Sequence, residues 1–318
     1  MQDVLDFDAI RASAGRIAPY VRRTPVLRCP ELDVELGAEV FFKCENFQEM
    51  GAFKLRGASN AVLSLPATAL ARGVATHSSG NHGTALALAA QRRGVPACVV
   101  MPENASAYKQ RAVARYGARI IRCEPTQAGR EAALEKYVAE SGAAVVHPYN
   151  DRVVMAGQGT AALELHEEVP GLDVIIAPLG GGGLLSGTAV TTRAMRPKAK
   201  VLGAEPLGAD DAWRSLQAGR IEPVLHPHTV ADGLRATIGS LTFAVLRAEV
   251  DAVLRVDEQP ILDAMRYVWE QMKILIEPSA AVPVAALRSG LAEVRGRRVG
   301  IILSGGNVDL DHLSWSVK

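Results

Sequence analysis

From residue 72 onward, short apolar runs alternate with longer amphipathic stretches. This alternation is the pattern of βαβ units, which build parallel sheets covered by helices. The runs "GVATHSS", "PACVVMP", "RIIRCEP" and "AAVVHPY" predict successive strands, with helical stretches between them. The sequence therefore predicts an α/β fold with two open, mostly parallel twisted sheets flanked by helices.

A second series of strands begins after residue 150 with "LDVIIAPL", "AKVLGAEP" and "RVGIILSGG", and "GAEVFFKCEN" near the N-terminus is strand-like as well. We therefore expect a discontinuous large domain made of residues 1–65 and 151–318. A small domain of residues 70–150 would be inserted into it. No Pro/Ser-rich linker, internal repeat or low-complexity tract separates the two.

Composition favours a soluble enzyme with a small-molecule partner. The chain has 318 residues, of which 48% are hydrophobic, and its formal net charge of +1 provides no basic surface for nucleic acid or a membrane. No stretch reaches the roughly 18 apolar residues of a membrane span. The N-terminus lacks the basic start and apolar core of a signal peptide, so the expected compartment is the cytoplasm. Four scattered cysteines without metal-ligand spacing indicate buried free thiols.

The stretch "MGAFKLRG" places Lys54 among Met50, Ala52, Phe53 and Leu55. A surface lysine would have polar neighbours, whereas these neighbours predict the wall of a pocket. A lysine in apolar surroundings loses its proton more easily, which suits it to form a Schiff base with an aldehyde.

Three glycine-rich turns follow predicted strands. In "PLGGGGLLSG" four glycines lie between a buried strand and a helix, where the backbone N–H groups suit a phosphate. A flexible turn without a ligand is the alternative, since neither a dinucleotide fingerprint nor a P-loop is present. In "HSSGNHG" the side chains of Ser78, Ser79 and Asn81, with a helix starting near Thr84, suit a carboxylate. An ordinary helix cap is the alternative there.

The third turn, "SGGN", carries Ser304 and Asn307. Ligands of open α/β sheets lie beyond the carboxyl ends of the strands, where all three turns should open. Together with the lysine they predict one phosphate-bearing, partly aromatic ligand that has an aldehyde.

The motifs "GAFKLRGA", "SSGNHG", "GGGG" and "SGGN", in this order, closely resemble those of the fold-type II pyridoxal-phosphate (PLP) enzymes. Within that group the chain is similar to the serine/threonine dehydratase and serine racemase family, which includes 3-hydroxyaspartate dehydratases. The resemblance runs from "RRTPV" at residue 22 to "SGGNVDL" at residue 310. It implies the fold of the tryptophan synthase β chain and PLP as cofactor.

The resemblance also implies roles for single residues. Lys54 matches the lysine that binds the cofactor as a Schiff base, and Ser304 matches the hydroxyl that faces the pyridine nitrogen. The implied cofactor-binding residues are Phe53, Lys54, Asn81, Gly180, Gly181, Gly182, Gly183, Leu184 and Ser304. The implied substrate-binding residues are Ser78, Ser79, Asn81, His82 and Arg130.

The activity implied is dehydration of a β-hydroxy amino acid such as L-serine, L-threonine or 3-hydroxyaspartate to a 2-oxo acid and ammonia. A neutral serine at the pyridine nitrogen weakens the cofactor as an electron sink, which suits a substrate with a leaving group on its β-carbon. Catalysis would use Lys54 and Ser79. The alternative is a serine or aspartate racemase in which these two residues act from opposite faces of the substrate. A cofactor-binding protein without turnover is a third possibility.

Two further sites follow from the resemblance. In "GAEPLGADD" the carboxylates of Glu205 and Asp211 and the carbonyl of Ala209 match the ligands of a divalent cation, Mg²⁺ or Ca²⁺. A solvated acidic loop is the alternative. Arg130 could bind a second substrate carboxylate and so favour 3-hydroxyaspartate, or it could be an exposed residue on a helix. The family resemblance also implies a homodimer.

Overall fold

The computed structural model describes residues 5–78, 80–224, 226–311 and 313, and helices and strands alternate over this part of the chain. The described strands are β1 (Val26–Arg28), β2 (Glu39–Cys44), β3 (Val74–His77), β4 (Ala97–Pro102), β5 (Arg119–Cys123), β6 (Ala144–Val145), β7 (Val174–Pro178), β8 (Lys200–Pro206), β9 (Ala252–Val256) and β10 (Arg298–Leu303). The described helices are α1 (Phe7–Ile17), α2 (Pro30–Leu36), α3 (Lys54–Ser64), α4 (Ala67–Leu70), α5 (Asn81–Arg93), α6 (Ala107–Ala114), α7 (Gln127–Ser141), α8 (Arg152–Glu168), α9 (Gly183–Met195), α10 (Asp211–Ala218), α11 (Ser240–Glu249), α12 (Glu258–Met272) and α13 (Pro278–Arg288).

Six strands form the larger sheet in the order β1-β2-β10-β7-β8-β9. All neighbours are parallel except β1, which pairs antiparallel with β2 at one edge. Alternate residues of β7 face opposite sides of the sheet, as the two-residue period of a strand requires. Val174 and Ile176 pack with α12 and α13, while Ile175 and Ala177 pack with α8 and α9. Helices cover both faces, which explains why the central strands are continuous apolar runs.

The smaller sheet has the order β5-β4-β3-β6, and all its strands are parallel. On one face Val99 and Met101 pack with residues of α5 and α6, and on the other Cys98 and Val100 pack with α7. Helix α3 packs against both α5 and α8 and so lies between the helices of the two sheets.

This architecture confirms the predicted fold class. The strand β9 and the helix α12 were not anticipated, and α5 begins at Asn81 rather than near Thr84 because Gly80 already serves as the residue before its first turn. The division into large and small domains at residues 65, 70 and 150 remains a prediction. In the described chain, no helix combines the length and apolar character that crossing a membrane requires.

Candidate active site

Lys54 is the first residue of α3 and lies beside the carboxyl end of β10. An isolated bridge pairs Ala52 with Gly305, and the Phe53 N–H donates to the carbonyl of Ser304 over 3.0 Å. These contacts join the lysine motif to the "SGGN" turn. The predicted convergence of these two segments is therefore present in the structure.

The Lys54 amine is partly buried, and its Nζ donates a hydrogen bond of 2.8 Å to the carbonyl of Pro148. Nζ also lies 5.1 Å from the centroid of the Phe53 ring. Burial lowers the pKa of Lys54 to about 8, although the negative charge of Glu277 opposes the shift. Near that pH about half of the amine is neutral, whereas an ordinary lysine is almost fully protonated. The amine is therefore prepared for nucleophilic attack on an aldehyde.

The four-glycine turn connects β7 to α9, whose first residue is Gly183. Gly182 has φ +92°, which disfavours any other residue type. A Cβ atom added to Gly181 would lie 2.4 Å from the ring of Tyr149. Because the turn lacks side chains, the Tyr149 ring can pack directly on its backbone. The first N–H groups of α9 have no partners within the helix. This arrangement suits a phosphate group.

The "HSSGNHG" segment leads from β3 into α5. Its Ser79 lies outside the described residues, so the structure does not place this proposed acid/base. Ser78 is partly exposed next to it, and Asn81 and His82 occupy the first turn of α5. His82 is buried with Nε2 3.1 Å from the carbonyl of Val146, and burial lowers its pKa well below the usual value. A neutral His82 beside a helix N-terminus leaves the N–H groups to bind an anion.

Asn81 connects the smaller sheet to two loops beside the larger sheet. Its Nδ2 donates to both carboxylate oxygens of Glu277, at 2.9 and 3.1 Å, and its Oδ1 accepts from Nδ2 of Asn307 at 2.8 Å. Asn307 also donates to the carbonyl of Met50 at 2.9 Å. Burial, reinforced by the charge of Asp232, raises the pKa of Glu277 to about 7. The "SSGNHG" and "SGGN" motifs therefore meet through side chains.

Arg130 lies in the first turn of α7, where its Nε donates to the carbonyl of Thr126 over 3.3 Å. Its charge reaches the wall of the site, since after burial it is the next cause that lowers the pKa of His77. The ring of His77 lies 5.9 Å from that of His147, which in turn lies 4.6 Å from the Tyr149 ring that covers the glycine turn. The structure thus places Arg130 near His77, and its contact with a substrate stays a prediction.

The predicted metal ligands lie where β8 ends. Glu205 is buried, its Oε1 accepts from the Trp213 N–H at 2.8 Å, and its Oε2 has no hydrogen-bond partner among the described residues. Asp211 is also buried and accepts from the Ile238 N–H at 2.9 Å. Burial raises the pKa of Glu205 to about 9 and that of Asp211 to about 6. The described residues contain no cluster of three or more His, Cys, Asp or Glu side chains for a metal.

The family model of pyridoxal-phosphate dependent enzymes matches residues 17–305. The chain belongs to this family.

Several relatives resemble this PLP-dependent enzyme over almost its whole length. A beta-hydroxyaspartate dehydratase of Paracoccus denitrificans (strain Pd 1222) is 48% identical over 310 residues, which are 98% of each chain. An L-threo-3-hydroxyaspartate ammonia-lyase of Saccharomyces cerevisiae (strain ATCC 204508 / S288c) is 46% identical and covers 97% of this chain and 93% of its own. The structure of maize serine racemase superimposes with a TM-score of 0.95, at 46% identity over 97% of this chain and 95% of the other.

The residues of this PLP-dependent enzyme fit the cofactor of its family. The glycine turn presents the free N–H groups at the start of α9, Lys54 has a partly neutral amine, and the buried Ser304 offers a neutral partner. Sequence reasoning missed Glu277 and the contact of Tyr149 with the glycines. The only available signal for Glu277 was an acidic residue before a proline at a helix start, which normally indicates an exposed cap.

Proposed function

We propose that this PLP-dependent enzyme is a dehydratase of β-hydroxy amino acids, which yields a 2-oxo acid and ammonia. The observation that supports it most is the Lys54 amine, with its lowered pKa, at the point where the lysine motif meets the "SGGN" turn. The two relatives that act on 3-hydroxyaspartate support the same reaction class.

The protein's own groups account for binding and proton transfer. The cofactor, when bound, supplies an electron-withdrawing ring that stabilises negative charge at the substrate Cα. The glycine turn with Leu184 holds its phosphate, and Phe53, Asn81 and Ser304 contact its ring. The first turn of α5 with Ser78 binds the substrate carboxylate through N–H and hydroxyl donors. The Lys54 amine removes the Cα proton, and the β-hydroxyl leaves as water after taking up a proton. The released unsaturated amine takes up a water molecule and breaks down to the 2-oxo acid and ammonia.

Racemisation is the alternative for the same site, and the similarity to maize serine racemase favours keeping it. It requires a second proton donor on the face opposite Lys54, the role we propose for Ser79. Both reactions begin with removal of the same proton. They differ in whether the β-hydroxyl leaves before a proton returns to Cα.

Ammonia release tests the proposal against a protein that binds the cofactor without turnover. The purified, PLP-loaded protein should release ammonia and 2-oxo acid in equal amounts from L-serine, L-threonine or a 3-hydroxyaspartate. A protein that is yellow with bound cofactor but releases neither product from any of these would contradict the proposal.

We propose that Arg130 binds a second carboxylate group of the substrate. Arg130→Ala should reduce kcat/KM for 3-hydroxyaspartate roughly 10- to 100-fold, because a charge-assisted hydrogen bond contributes about 1.5 to 3 kcal/mol. Steady-state kinetics with L-serine, which lacks that carboxylate, serve as the internal control and should change little. Arg130→Lys keeps the charge but loses the bidentate geometry. Its kcat/KM for 3-hydroxyaspartate should lie between those of wild type and Arg130→Ala. Equal losses on both substrates would refute the assignment.

A divalent cation is proposed at Glu205, Ala209 and Asp211. Hard oxygen donors suit Mg²⁺ or Ca²⁺, and a bound cation would favour the charged form of these two carboxylates, whose pKa values burial raises. Chelation should lower the melting temperature and added Mg²⁺ should restore it, since a ligand at 100 times its Kd stabilises by about 2.7 kcal/mol. Glu205→Gln should remove this dependence on the chelator. The same chelator response in wild type and variant would contradict the site.

The homodimer, the two-domain division and the cytoplasmic location remain part of this proposal. Analytical ultracentrifugation of the purified protein tests the first of them, with a dimer as the expected species.

A further inference from the structure

The glycine turn between β7 and α9 is held by a residue of a different helix. Thr242, the third residue of α11, is fully buried and its Oγ1 lies 2.9 Å from the carbonyl oxygen of Gly181. The Thr242 Oγ1 also accepts a hydrogen bond of 2.9 Å from the Gly239 N–H.

The hydroxyl proton of Thr242 has two acceptors within reach, the carbonyls of Gly181 at 2.9 Å and Gly239 at 3.0 Å. The Gly239 carbonyl already accepts from the Phe243 N–H at 2.8 Å. Among the described residues, the Gly181 carbonyl has no other donor. A buried carbonyl without a hydrogen bond costs free energy, so the Thr242 hydroxyl donates its proton to the Gly181 carbonyl.

Thr242 also touches the next residue of the turn. A Cβ atom at Gly182 would lie 2.7 Å from the Thr242 Cβ, so the threonine packs directly on the Gly182 backbone. Gly182 is the residue with φ +92°, whose orientation determines how the following N–H groups point. Hydrogen bond and packing together restrict the turn to one conformation.

The start of α11 is fixed from its other side by Asn150. The Asn150 Oδ1 accepts from the Leu241 N–H at 2.8 Å, and its own N–H donates to Nδ1 of His147 at 2.8 Å. The same short turn contains Pro148, whose carbonyl accepts from Lys54. Helix α11 is therefore anchored to the segment that contacts the reactive amine.

We propose that Thr242 is a positioning residue for the cofactor phosphate: it holds Gly181 and Gly182 so that the first N–H groups of α9 converge on one anion. The inference rests on the proposed function, because it takes the glycine turn as the phosphate site. Thr242 acts through the turn and makes no contact with the phosphate itself.

The test compares Thr242→Val, which keeps the shape but removes the hydroxyl, with Thr242→Ser, which keeps the hydroxyl. For each apo protein, the Kd of PLP is measured by equilibrium dialysis and the Kd of inorganic phosphate by calorimetry. We expect Thr242→Val to raise both Kd values roughly tenfold or more, because a Gly181 carbonyl without its hydrogen bond lets the turn leave the conformation in which its N–H groups converge. Both Kd values of Thr242→Ser should stay within about threefold of the wild-type values.

Thr191→Val is the matched control. Thr191 is also buried and also donates to a glycine carbonyl, that of Gly187 at 2.8 Å, but it lies in the second half of α9. Its variant should lose melting temperature with an unchanged Kd. If Thr242→Val shows this pattern as well, Thr242 is only structural and the inference is overturned.

Two other outcomes are informative. If Thr242→Val does not fold, Thr242→Cys replaces it, since a thiol is a weak donor, and the same loss of affinity is expected. Wild-type protein that fails to bind PLP would refute the proposed function itself. Wild-type binding with equal affinity in the folded Val or Cys variant would refute only the role of Thr242.

Discussion

Replacing Lys54 by alanine is expected to abolish ammonia release, with a loss in kcat of roughly 10³-fold or more, because both the nucleophile and the base are removed. The absorption band of the lysine-bound cofactor should disappear as well. The glycine turn and Ser304 do not depend on the amine, so PLP should still be retained through its phosphate. Dialysis followed by absorption spectroscopy separates these two effects.

Lys198→Ala is a suitable control, since Lys198 is exposed and follows the end of α9 opposite to the glycine turn. It should leave both the spectrum and the rate unchanged. A Lys54→Ala protein that keeps the band and turns over at the normal rate would show that another amine carries the chemistry.

Replacing Arg56 by methionine is expected to be the most destabilising of the substitutions considered. The guanidinium, fully buried two residues after Lys54, binds Glu45 at 2.8 Å and Glu164 at 2.7 and 2.8 Å. Lys43, also buried, contacts Glu164 at 2.6 Å, so two cations balance two carboxylates. Without Arg56 a net negative charge stays buried, which costs about 3 to 5 kcal/mol.

Urea unfolding of the apo protein measures this cost. Arg266→Met provides the comparison. Arg266 forms a 2.7 Å ion pair with Glu270 on the exposed side of α12, and this pair should contribute nothing measurable to the free energy of unfolding. Arg56→Lys should recover only part of the loss, since an ammonium group cannot reproduce the bidentate contacts. Similar stabilities for Arg56→Met and Arg266→Met would contradict the importance of the buried cluster.

The buried ion pairs of Arg56 could not be predicted from the sequence, whereas the strands of the larger sheet could. The pattern of apolar runs predicted the central strands, because a strand buried on both faces must be apolar along its whole length, as in "VIIAP" of β7. The three glycine-rich turns after strands, together with the lysine motif, predicted that the lysine, asparagine, glycine and serine segments meet at one ligand. Each of these signals is local, or depends on the rule that parallel strands present their carboxyl ends together.

The missed features depend on long-range partners. Glu277 and Asn81 are 196 positions apart, and Arg56 and Glu164 are 108 apart, so no local pattern links them. Strand β9 was missed because only Val253 and Val256 of its five residues are buried, which gives a weak apolar signal at the edge of the sheet. A buried carboxylate looks in sequence like any surface acid until its partner is known.

The most direct test of dehydration at Lys54 is a time course with L-serine and L-threo-3-hydroxyaspartate as separate substrates of the PLP-loaded protein. Ammonia, 2-oxo acid and both amino-acid enantiomers are measured in the same samples. The account predicts that 2-oxo acid and ammonia accumulate together and account for nearly all substrate lost. Accumulation of the opposite enantiomer with little 2-oxo acid would contradict it and establish the racemase alternative.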